Sequence, residues 1–392
     1  MSYNLWTDCN RVPITELLSF IVDNRGKSAP TAPCGHKLIA TNCVTNNTLF
    51  PVYEKIRYIS DEIYNTWFRS HPLPGDILFV NKGTPGRVCM VPDPVDFCIA
   101  QDMIALRADD DKIYNKYLFA VLRSREIQQQ IYNTNVGDVI PHFKKQFLDQ
   151  LLIPVPERSM QEAIGDLYYT LSFKTELNKK INDNLAELLQ TVFQEHFGNV
   201  SAATEQGMLS DICSYSRDRV AVSELNTSTY FSTENMLPGK AGSTEATSLP
   251  AILQTTACHK GDTLVSNIRP YFKKIIYCED ECGCSTDVLC FTPVHQKYAA
   301  YLFSTLFADK FFDFMVAGSK GTKMPRGDKQ HIMSYPVTIP FDDELDEFNA
   351  LAMPILAQLH SNKAENKRLS AIRDALLPKL MSGEIDVSAV QL

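Results

Sequence analysis

Basic side chains collect on glycine- and proline-containing loops of this sequence, at residues 25–27, 82–87, 137–145, 269–274 and 318–331. Lysine on such a loop can reach a phosphate, and arginine can donate two parallel hydrogen bonds to guanine in the major groove of DNA. We therefore interpret these loops as candidate DNA contacts, and an ordinary solvated loop is the alternative for any one of them. The candidate residues are Arg25, Lys27, Lys82, Arg87, Lys144, Lys145, Arg269, Lys273, Lys274, Lys320, Lys323 and Arg326.

Motifs for catalysis and cofactor binding are missing from the sequence. The run from Asn24 to Ser28 ends in Gly-Lys-Ser, but the upstream glycine of a phosphate-binding loop is replaced by Ile21. There is no His-Glu-x-x-His zinc motif, no Gly-x-Ser-x-Gly nucleophile motif and no Pro-Pro-aromatic motif of amino-methyltransferases. We therefore expect no catalytic residue, no cofactor and no metal site in this chain.

A group of cysteines is the best candidate for another chemistry. A structural zinc site normally contains two close cysteine pairs, whereas the spacing here is irregular and has no counterpart in the first half of the chain. Free thiols are therefore favoured, and a thiol- or zinc-dependent enzyme stays open as an alternative. The group comprises Cys258, His259, Cys278, Cys282, Cys284 and Cys290.

The chain contains the same pattern twice, at an offset of 184 to 186 residues. Residues 74–81 are echoed by residues 260–267, and residues 117–122 by residues 301–306. Further matches pair Pro141 with Pro325, Lys145 with Lys329, Ile153 with Ile339 and Asn182 with Asn366. Matches in constant order at a nearly constant offset predict a duplication. Since two of the basic loops are equivalent in this repeat, together they carry more weight than either alone.

Length, composition and charge narrow the class of protein. The 392 residues suit two or three domains, and 44% hydrophobic against 21% charged residues predicts a folded chain. The net charge of −8 argues against a protein that is basic throughout, but acidic runs set apart from basic loops leave room for local basic surfaces. We expect no membrane span and no secretory signal, and the eleven cysteines fit reduced thiols of the cytoplasm.

Each copy is predicted to contain a β-rich stretch, a helix, a loop, a short strand and a long helix. The middle helices are expected at about 114–132 and 297–316, and the short strands at 151–156 and 335–340. In the first copy the long helix is expected at 159–197. Gly198 and Gly383 are expected to end the long helices.

Both long helices carry apolar residues at helical spacing. The seam in the first copy is Leu177, Ile181, Leu185, Leu188 and Val192, and the looser seam in the second is Leu359, Leu369, Leu376 and Leu380, interrupted by Asn362, Asn366 and Arg373. Such seams predict that the two helices pack against each other, and an antiparallel pair is favoured. The alternative is that each helix simply covers its own domain.

The sequence resembles the specificity (S) subunit of type I restriction-modification systems. The residues that carry the resemblance are Arg25 to Ser28, the Gly-Asp segments at Gly75 and Gly261, the strand at Ile153 to Pro156 leading into Gln161 to Ile164, and the ending Leu376 to Ile385, which is the most specific. One departure is that the second copy lacks the Pro-x-Pro of the first. An acidic run follows Phe341 there, which leaves the start of the second long helix open.

The resemblance implies an α+β fold with two target-recognition domains separated by two long antiparallel helices. The corresponding boundaries are 1–156 and 199–341 for the recognition domains and 157–198 and 342–392 for the helices. Each domain is expected to read one half of a bipartite site in double-stranded DNA, while the helices set the spacer and dock two modification subunits. Methylation and cleavage then belong to those modification subunits and to restriction subunits. A duplicated scaffold that binds protein is a further alternative.

Overall fold

The structure is a computed structural model that describes residues 4–24, 26–134, 140–198 and 205–385. The chain divides into two compact units, Met1–Lys180 with Ala364–Leu392 (unit 1) and Ile181–Lys363 (unit 2). The α-helices are α1 Leu5–Asp8, α2 Asp61–Thr66, α3 Asn115–Leu122, α4 Arg125–Thr134, α5 Arg158–Phe197, α6 Leu209–Ile212, α7 Ala299–Phe307, α8 Asp309–Ala317, α9 Lys329–Met333 and α10 Asp342–Met381.

The strands are short and fall mainly in the first part of each copy. In the first copy they are β1 Arg11–Pro13, β2 Leu18–Val22, β3 His36–Ile39, β4 Arg57–Ile59, β5 Ile77–Val80, β6 Val88–Met90, β7 Phe97–Ile99, β8 Met103–Ala108 and β9 Leu152–Pro154. In the second they are β10 Glu205–Met208, β11 Cys213–Tyr215, β12 Arg219–Ala221, β13 Tyr230–Phe231, β14 Gln254–Cys258, β15 Thr263–Ser266, β16 Ile275–Tyr277, β17 Cys282–Cys284, β18 Val288–Pro293 and β19 Pro336–Ile339.

Unit 1 is built in layers around strand β5. An antiparallel sheet in the order β2-β8-β5-β6 lies beside a second sheet, β4-β3-β7, and β1 pairs with β9. Successive side chains of a strand point to opposite faces. Phe79 accordingly packs into the core formed with α3, whereas Leu78 packs towards Ile39 and Ile99 of the second sheet. All four residues of β5 are buried because both faces of the strand are covered.

Unit 2 repeats this arrangement around strand β15. Its sheets are β11-β18-β15-β16 and β12-β14-β17-β13, and β10 pairs with β19. Val265 packs with the helical layer, and Leu264 packs towards the second sheet. The hydroxyl of Tyr117 donates to the carbonyl of Pro154 in unit 1, as that of Tyr301 does to Thr338 in unit 2. The predicted duplication is therefore confirmed in the strand order of the sheets that contain β5 and β15 and in individual hydrogen bonds, whereas the second sheets have three and four strands.

The repeated Gly-Asp segment forms the same turn in both units. Gly75 and Gly261 adopt left-handed backbones, with φ of +85° and +92°, which favour glycine. The next residue folds its carboxylate back onto the chain: Asp76 accepts from the amide of Leu73 at 2.9 Å, and Asp262 from that of His259 at 2.8 Å. This turn delivers the chain into the central strand of each unit.

The prediction of one middle helix in each copy is wrong. Each copy has two helices at this place, α3 and α4 in the first and α7 and α8 in the second. In unit 1 the guanidinium of Arg123 turns inwards to donate to the carbonyls of Thr48 and Val88, and Ser124 then caps the amide of Ile127 at the start of α4. In unit 2 Ala308 takes an extended conformation, with ψ of 143°, between α7 and α8. Both breaks depend on tertiary contacts or backbone geometry that periodicity does not reveal.

The long helices are confirmed, but the predicted seam in α5 is wrong. Leu177, Ile181 and Leu188 are 43%, 37% and 48% exposed, and of the predicted seam only Val192 is fully buried. Within unit 1 the buried side of α5 instead carries small and polar residues such as Ser172, Thr175 and Asn178. In α10 the predicted interruptions Asn362 and Arg373 are themselves buried. Among the described residues, no helix is both long and apolar enough to cross a membrane.

Asparagines join the two helices inside each unit. In unit 1 the amide of Asn178 donates to Asn366 at 2.9 Å and to Glu365 at 2.7 Å. In unit 2 the amide of Asn362 donates to Asn182 at 2.8 Å. The pairing runs antiparallel in both units, as predicted. Of the predicted terminal glycines, Gly383 has the expected left-handed backbone, with φ of +72°, whereas Gly198 does not.

Replacing Arg107 with leucine is expected to destabilise unit 1 by about 2–3 kcal/mol, because it strips the partner from a buried carboxylate. Arg107 donates two hydrogen bonds of 2.9 Å to Asp76, which is 2% exposed, and this hydrogen bonding raises the pKa of Arg107. Urea unfolding followed by circular dichroism measures the change. Arg57→Leu, at an exposed position of β4, is the control, and Asp76→Asn combined with Arg107→Leu should recover part of the loss. Equal midpoints for the Arg107 and Arg57 variants would contradict this expectation.

Candidate nucleic-acid interface

Two of the predicted basic loops lie side by side in unit 1. The first, residues 82–87, follows strand β5, and the second, residues 140–145, follows α4 after a short gap in the described chain. The amide of Gly83 donates to the carbonyl of Pro141 at 2.9 Å, and the amide of Phe143 donates to the carbonyl of Asn81 at 2.8 Å. These contacts define loop pair 1, which comprises both loops.

Unit 2 contains a corresponding arrangement, loop pair 2, made of residues 268–274 and 318–328. The amide of Arg269 donates to the carbonyl of Pro325 at 2.8 Å, and the amide of Gly327 to the carbonyl of Asn267 at 3.3 Å. All four residues occupy positions equivalent in the repeat to Gly83, Pro141, Phe143 and Asn81. The isolated β-bridges are equivalent too, since Lys82 faces His142 and Ile268 faces Arg326. The duplication therefore extends to the backbone that carries the basic residues.

Most predicted contact residues of unit 1 lie on or beside loop pair 1. Arg87, Lys144 and Lys145 are exposed, and Lys82 is half-buried. Lys145 forms an ion pair with Asp23, so the segment containing the exposed Lys27 begins next to this loop pair. Burial lowers the pKa of Lys145. Arg25 lies outside the described residues.

The predicted contact residues of unit 2 divide into those tied down inside the unit and those that project from it. Lys273 pairs with Asp309 at 3.0 Å, and hydrogen bonds from Lys240 and Lys273 lower the pKa of Asp309. Lys274 donates to the carbonyl of Thr233, and burial lowers its pKa. These two lysines fasten their loop to the rest of the unit.

The remaining candidates of loop pair 2 point outwards. Arg269 and Lys323 are exposed, and Arg326 pairs with Asp287 at 3.0 Å. Lys320 pairs with Asp328, whose pKa falls to about 2 because Lys320 and two backbone amides donate hydrogen bonds to its carboxylate. Loop pair 2 thus brings together Arg269, Lys320, Lys323 and Arg326, four of the six residues predicted for this half.

Sequence reasoning missed two features of loop pair 2. Tyr271, Phe272 and Met324 are exposed apolar side chains among the basic residues. In the sequence, the aromatic pair Tyr271 and Phe272 lies between an arginine and a lysine, and this pattern could have indicated them. Asp287, the partner of Arg326, lies 39 residues away in sequence, and its equivalence to Asp102 in the repeat was its only signal.

The chain is similar to known proteins of one family. Residues 35–187, which include loop pair 1, match the model of the type I restriction modification DNA specificity domain. The type I restriction enzyme MjaIX specificity subunit of Methanocaldococcus jannaschii is 21% identical over 340 residues, which cover 80% of this chain and 78% of that protein. Over most of its length, the chain is therefore similar to a type I specificity subunit.

A solved structure shares the fold of this chain over nearly its whole length. The S subunit of the type I restriction-modification system from M. genitalium superposes with a TM-score of 0.55 at 17% identity, covering 95% of this chain and 96% of the other. The expected α+β architecture is thereby confirmed. The resemblance stated from sequence is confirmed by the family model and by the M. jannaschii protein. At this level of identity the likeness shows the fold alone.

The cysteines of the second copy come together despite their irregular spacing. Cys258, Cys278, Cys282, Cys284 and Cys290 lie in one buried cluster of unit 2, and the Sγ atoms of Cys278 and Cys282 are 3.6 Å apart. Hydrogen bonds among the thiols, together with burial, raise the pKa of Cys258 and of Cys278. In the described part of the chain, no three His, Cys, Asp or Glu side chains form an arrangement that could hold a metal ion.

A thiol reagent added to the native protein should react rapidly with Cys34, the one cysteine classed as exposed within the described residues. The clustered thiols should react only on unfolding, because all five are buried and a reagent cannot reach them in the folded protein. Ellman's reagent, read with and without urea, measures both phases. Cys34→Ser should remove most of the fast phase, and Cys9 is partly exposed. Persistence of that phase in a variant with both Cys9→Ser and Cys34→Ser would contradict the burial of the remaining thiols.

Proposed function

We propose that this chain is the DNA-recognition subunit of a type I restriction-modification complex, in which each unit reads one half of a bipartite DNA site. The observation that carries the proposal is the loop pair, built by the same backbone hydrogen bonds in both units and bearing cations in each. A duplicated chain with one such surface per copy suits a site with two halves.

The loop pairs have the chemistry for both parts of DNA recognition. Exposed lysines such as Lys144 and Lys323 suit phosphates, which position a protein on the duplex without reading its sequence. Arginines such as Arg87 and Arg326 carry the planar donor fork that distinguishes guanine from other bases. Because strands and a neighbouring loop hold each loop, their side chains are presented from a fixed frame.

We propose domain boundaries that separate the DNA-recognition segments from the spacer helices. Residues 1–156 and 199–341 would recognise DNA, and residues 157–198 and 342–392 would form the helical spacer. We further propose that the spacer sets the distance between the half-sites, which a protein spanning two major grooves on one side of the duplex reads about 34–36 Å apart.

The long helix α5 also supports a partner-binding role. Within unit 1, Phe173 and Leu177 are exposed, and Phe173 stacks on Tyr169; within unit 2, Ile181 and Leu188 are exposed. Apolar side chains left in water at helical spacing are typical of a protein interface. We propose that two modification subunits dock on the helices, that restriction subunits complete the complex, and that these partners carry the methylation and cleavage chemistry.

Neutralising a loop lysine should weaken binding to all duplexes alike. For Lys323→Ala, and separately for Lys144→Ala, we expect the slope of log affinity against log salt to fall by about one, because one phosphate contact is lost. Titration of the complex with modification subunits against a specific and a random duplex, at several salt concentrations, measures this change. Lys55→Ala, an exposed lysine outside the loop pairs, is the control. Loop variants that behave like the control would count against the interface.

Lengthening both helices by one turn should lengthen the spacer and leave both half-sites unchanged. Four residues inserted between Asn178 and Asn182 of α5, and four between Asn362 and Asn366 of α10, add about 6 Å. The matched insertions lie between the asparagine pairs of the two units and so preserve both. At about 3.4 Å per base pair, the spacer should grow by one or two base pairs.

Methylation of a library of spacer lengths measures the outcome of the helix insertions. An insertion in α5 alone is the control, because it shifts one helix against the other and should lower thermal stability. Retention of the original spacer by the doubly lengthened protein would refute a spacer role for the helices.

A further inference from the structure

An ion pair stands at the exposed surface of loop pair 2. One terminal nitrogen of Arg326 lies 3.0 Å from Oδ1 of Asp287, and the two side chains are 57% and 36% exposed. A surface ion pair of this kind contributes little to stability, with a typical value below about 1 kcal/mol. We therefore consider how the ion pair orients the guanidinium of Arg326, and not its contribution to stability.

The backbone on both sides of this ion pair is held by reciprocal hydrogen bonds. The amide of Arg326 donates to the carbonyl of Lys320, and the amide of Lys320 donates back to Arg326, both at 2.9 Å. The carbonyl of Asp287 accepts from the amide of Asn267 at 2.8 Å, at the end of the central strand. The backbones of both partners are thus held before any ligand arrives, and the ion pair restricts the guanidinium, which reduces the entropy lost on binding.

The electrostatics of the pair favour a base over a phosphate as its ligand. The carboxylate of Asp287 offsets the charge of Arg326, so the pair attracts a phosphate less than an isolated cation such as Lys323 does. A guanidinium has five N–H donors, and the contact with Asp287 occupies one terminal nitrogen. The donors that remain can address the O6 and N7 acceptors of guanine.

We propose that Arg326 reads a guanine in the DNA half-site bound by unit 2, and that Asp287 is the positioning residue that orients its guanidinium. This inference rests on the proposed DNA-recognition function. The equivalent positions in unit 1 are His142 and Asp102, so unit 1 lacks this arginine and the proposal concerns unit 2 alone.

The test uses the full chain in complex with its modification subunit and a duplex library covering the half-site. Arg326→Ala should lower the preference for guanine at one position by about 5- to 150-fold and leave the other positions unchanged. Arg326→Lys keeps the charge but loses the fork, so it should show the same loss of preference with an unchanged salt slope. Lys323→Ala is the matched control, with weaker binding to all sequences and intact preference.

Two further measurements separate reading of guanine from a general structural role. Replacing the recognised guanine with 7-deazaguanine removes the N7 acceptor, so it should weaken binding of the unaltered protein and leave binding by Arg326→Ala unchanged. Asp287→Asn should weaken the guanine preference while raising affinity for random duplex, because a negative charge leaves the surface. A merely structural residue would lower both.

The proposal about Arg326 fails if Arg326→Ala and Arg326→Lys keep the preference at every position, or if they lose affinity uniformly as Lys323→Ala does. That outcome leaves the proposed function standing, provided that the unaltered complex selects a bipartite sequence. If the unaltered complex shows no sequence preference at all, the DNA-recognition function itself is wrong, and the inference about Arg326 falls with it.

Discussion

The whole candidate interface depends on the backbone of one asparagine in each unit. This asparagine joins the end of the central strand to the segment around Asp102 or Asp287 and to the second loop of the pair. Asn81 and Asn267 end the central strands, and their amides donate to the carbonyls of Asp102 and Asp287, both at 2.8 Å. Their carbonyls accept from the second loop of each pair. Since backbone groups make these bonds, the loops can change their side chains without losing their positions. A duplicated scaffold with variable loops is thereby free to present different surfaces in its two copies.

A second constraint lies in the polar contacts between the long helices. Buried asparagines contribute less stability than a leucine seam, but they accept only partners in the correct register. Asn178 meets Asn366 in unit 1, and Asn182 meets Asn362 in unit 2. The leucines that would have formed a seam remain on the outer side of α5, where an apolar surface can receive another protein. The polar contacts that set register and the apolar residues proposed to bind partners therefore lie on different faces of one helix.

The sequence was sufficient for the features that depend on local pattern and repetition. Offsets of 184 to 186 residues identified the duplication, and the short strands at 151–156 and 335–340 were located within two residues of β9 and β19. Residues that meet through tertiary structure were not predictable in this way. Arg123 breaks a helix because it reaches Thr48 and Val88, and Asp287 faces Arg326 from a different strand end. The prediction that the apolar seam of α5 packs against α10 was wrong, because amphipathic spacing shows that a helix face is apolar but not which partner covers that face.

Some of the acidic residues behind the negative net charge of this protein form ion pairs with loop lysines. Asp309 and Asp328 neutralise Lys273 and Lys320, so part of the acidic surplus fastens basic loops instead of opposing DNA. In the described chain, Arg269 and Lys323 are exposed and form no ion pair, so their charges are not offset in this way. Across the equivalent bridges the two units carry different side chains: Lys82 opposite His142 in one, and Ile268 opposite Arg326 in the other. At this bridge the cation comes from the first loop in unit 1 and from the second loop in unit 2. One backbone thus presents different chemistry in its two copies, as the proposed reading of two unlike half-sites requires.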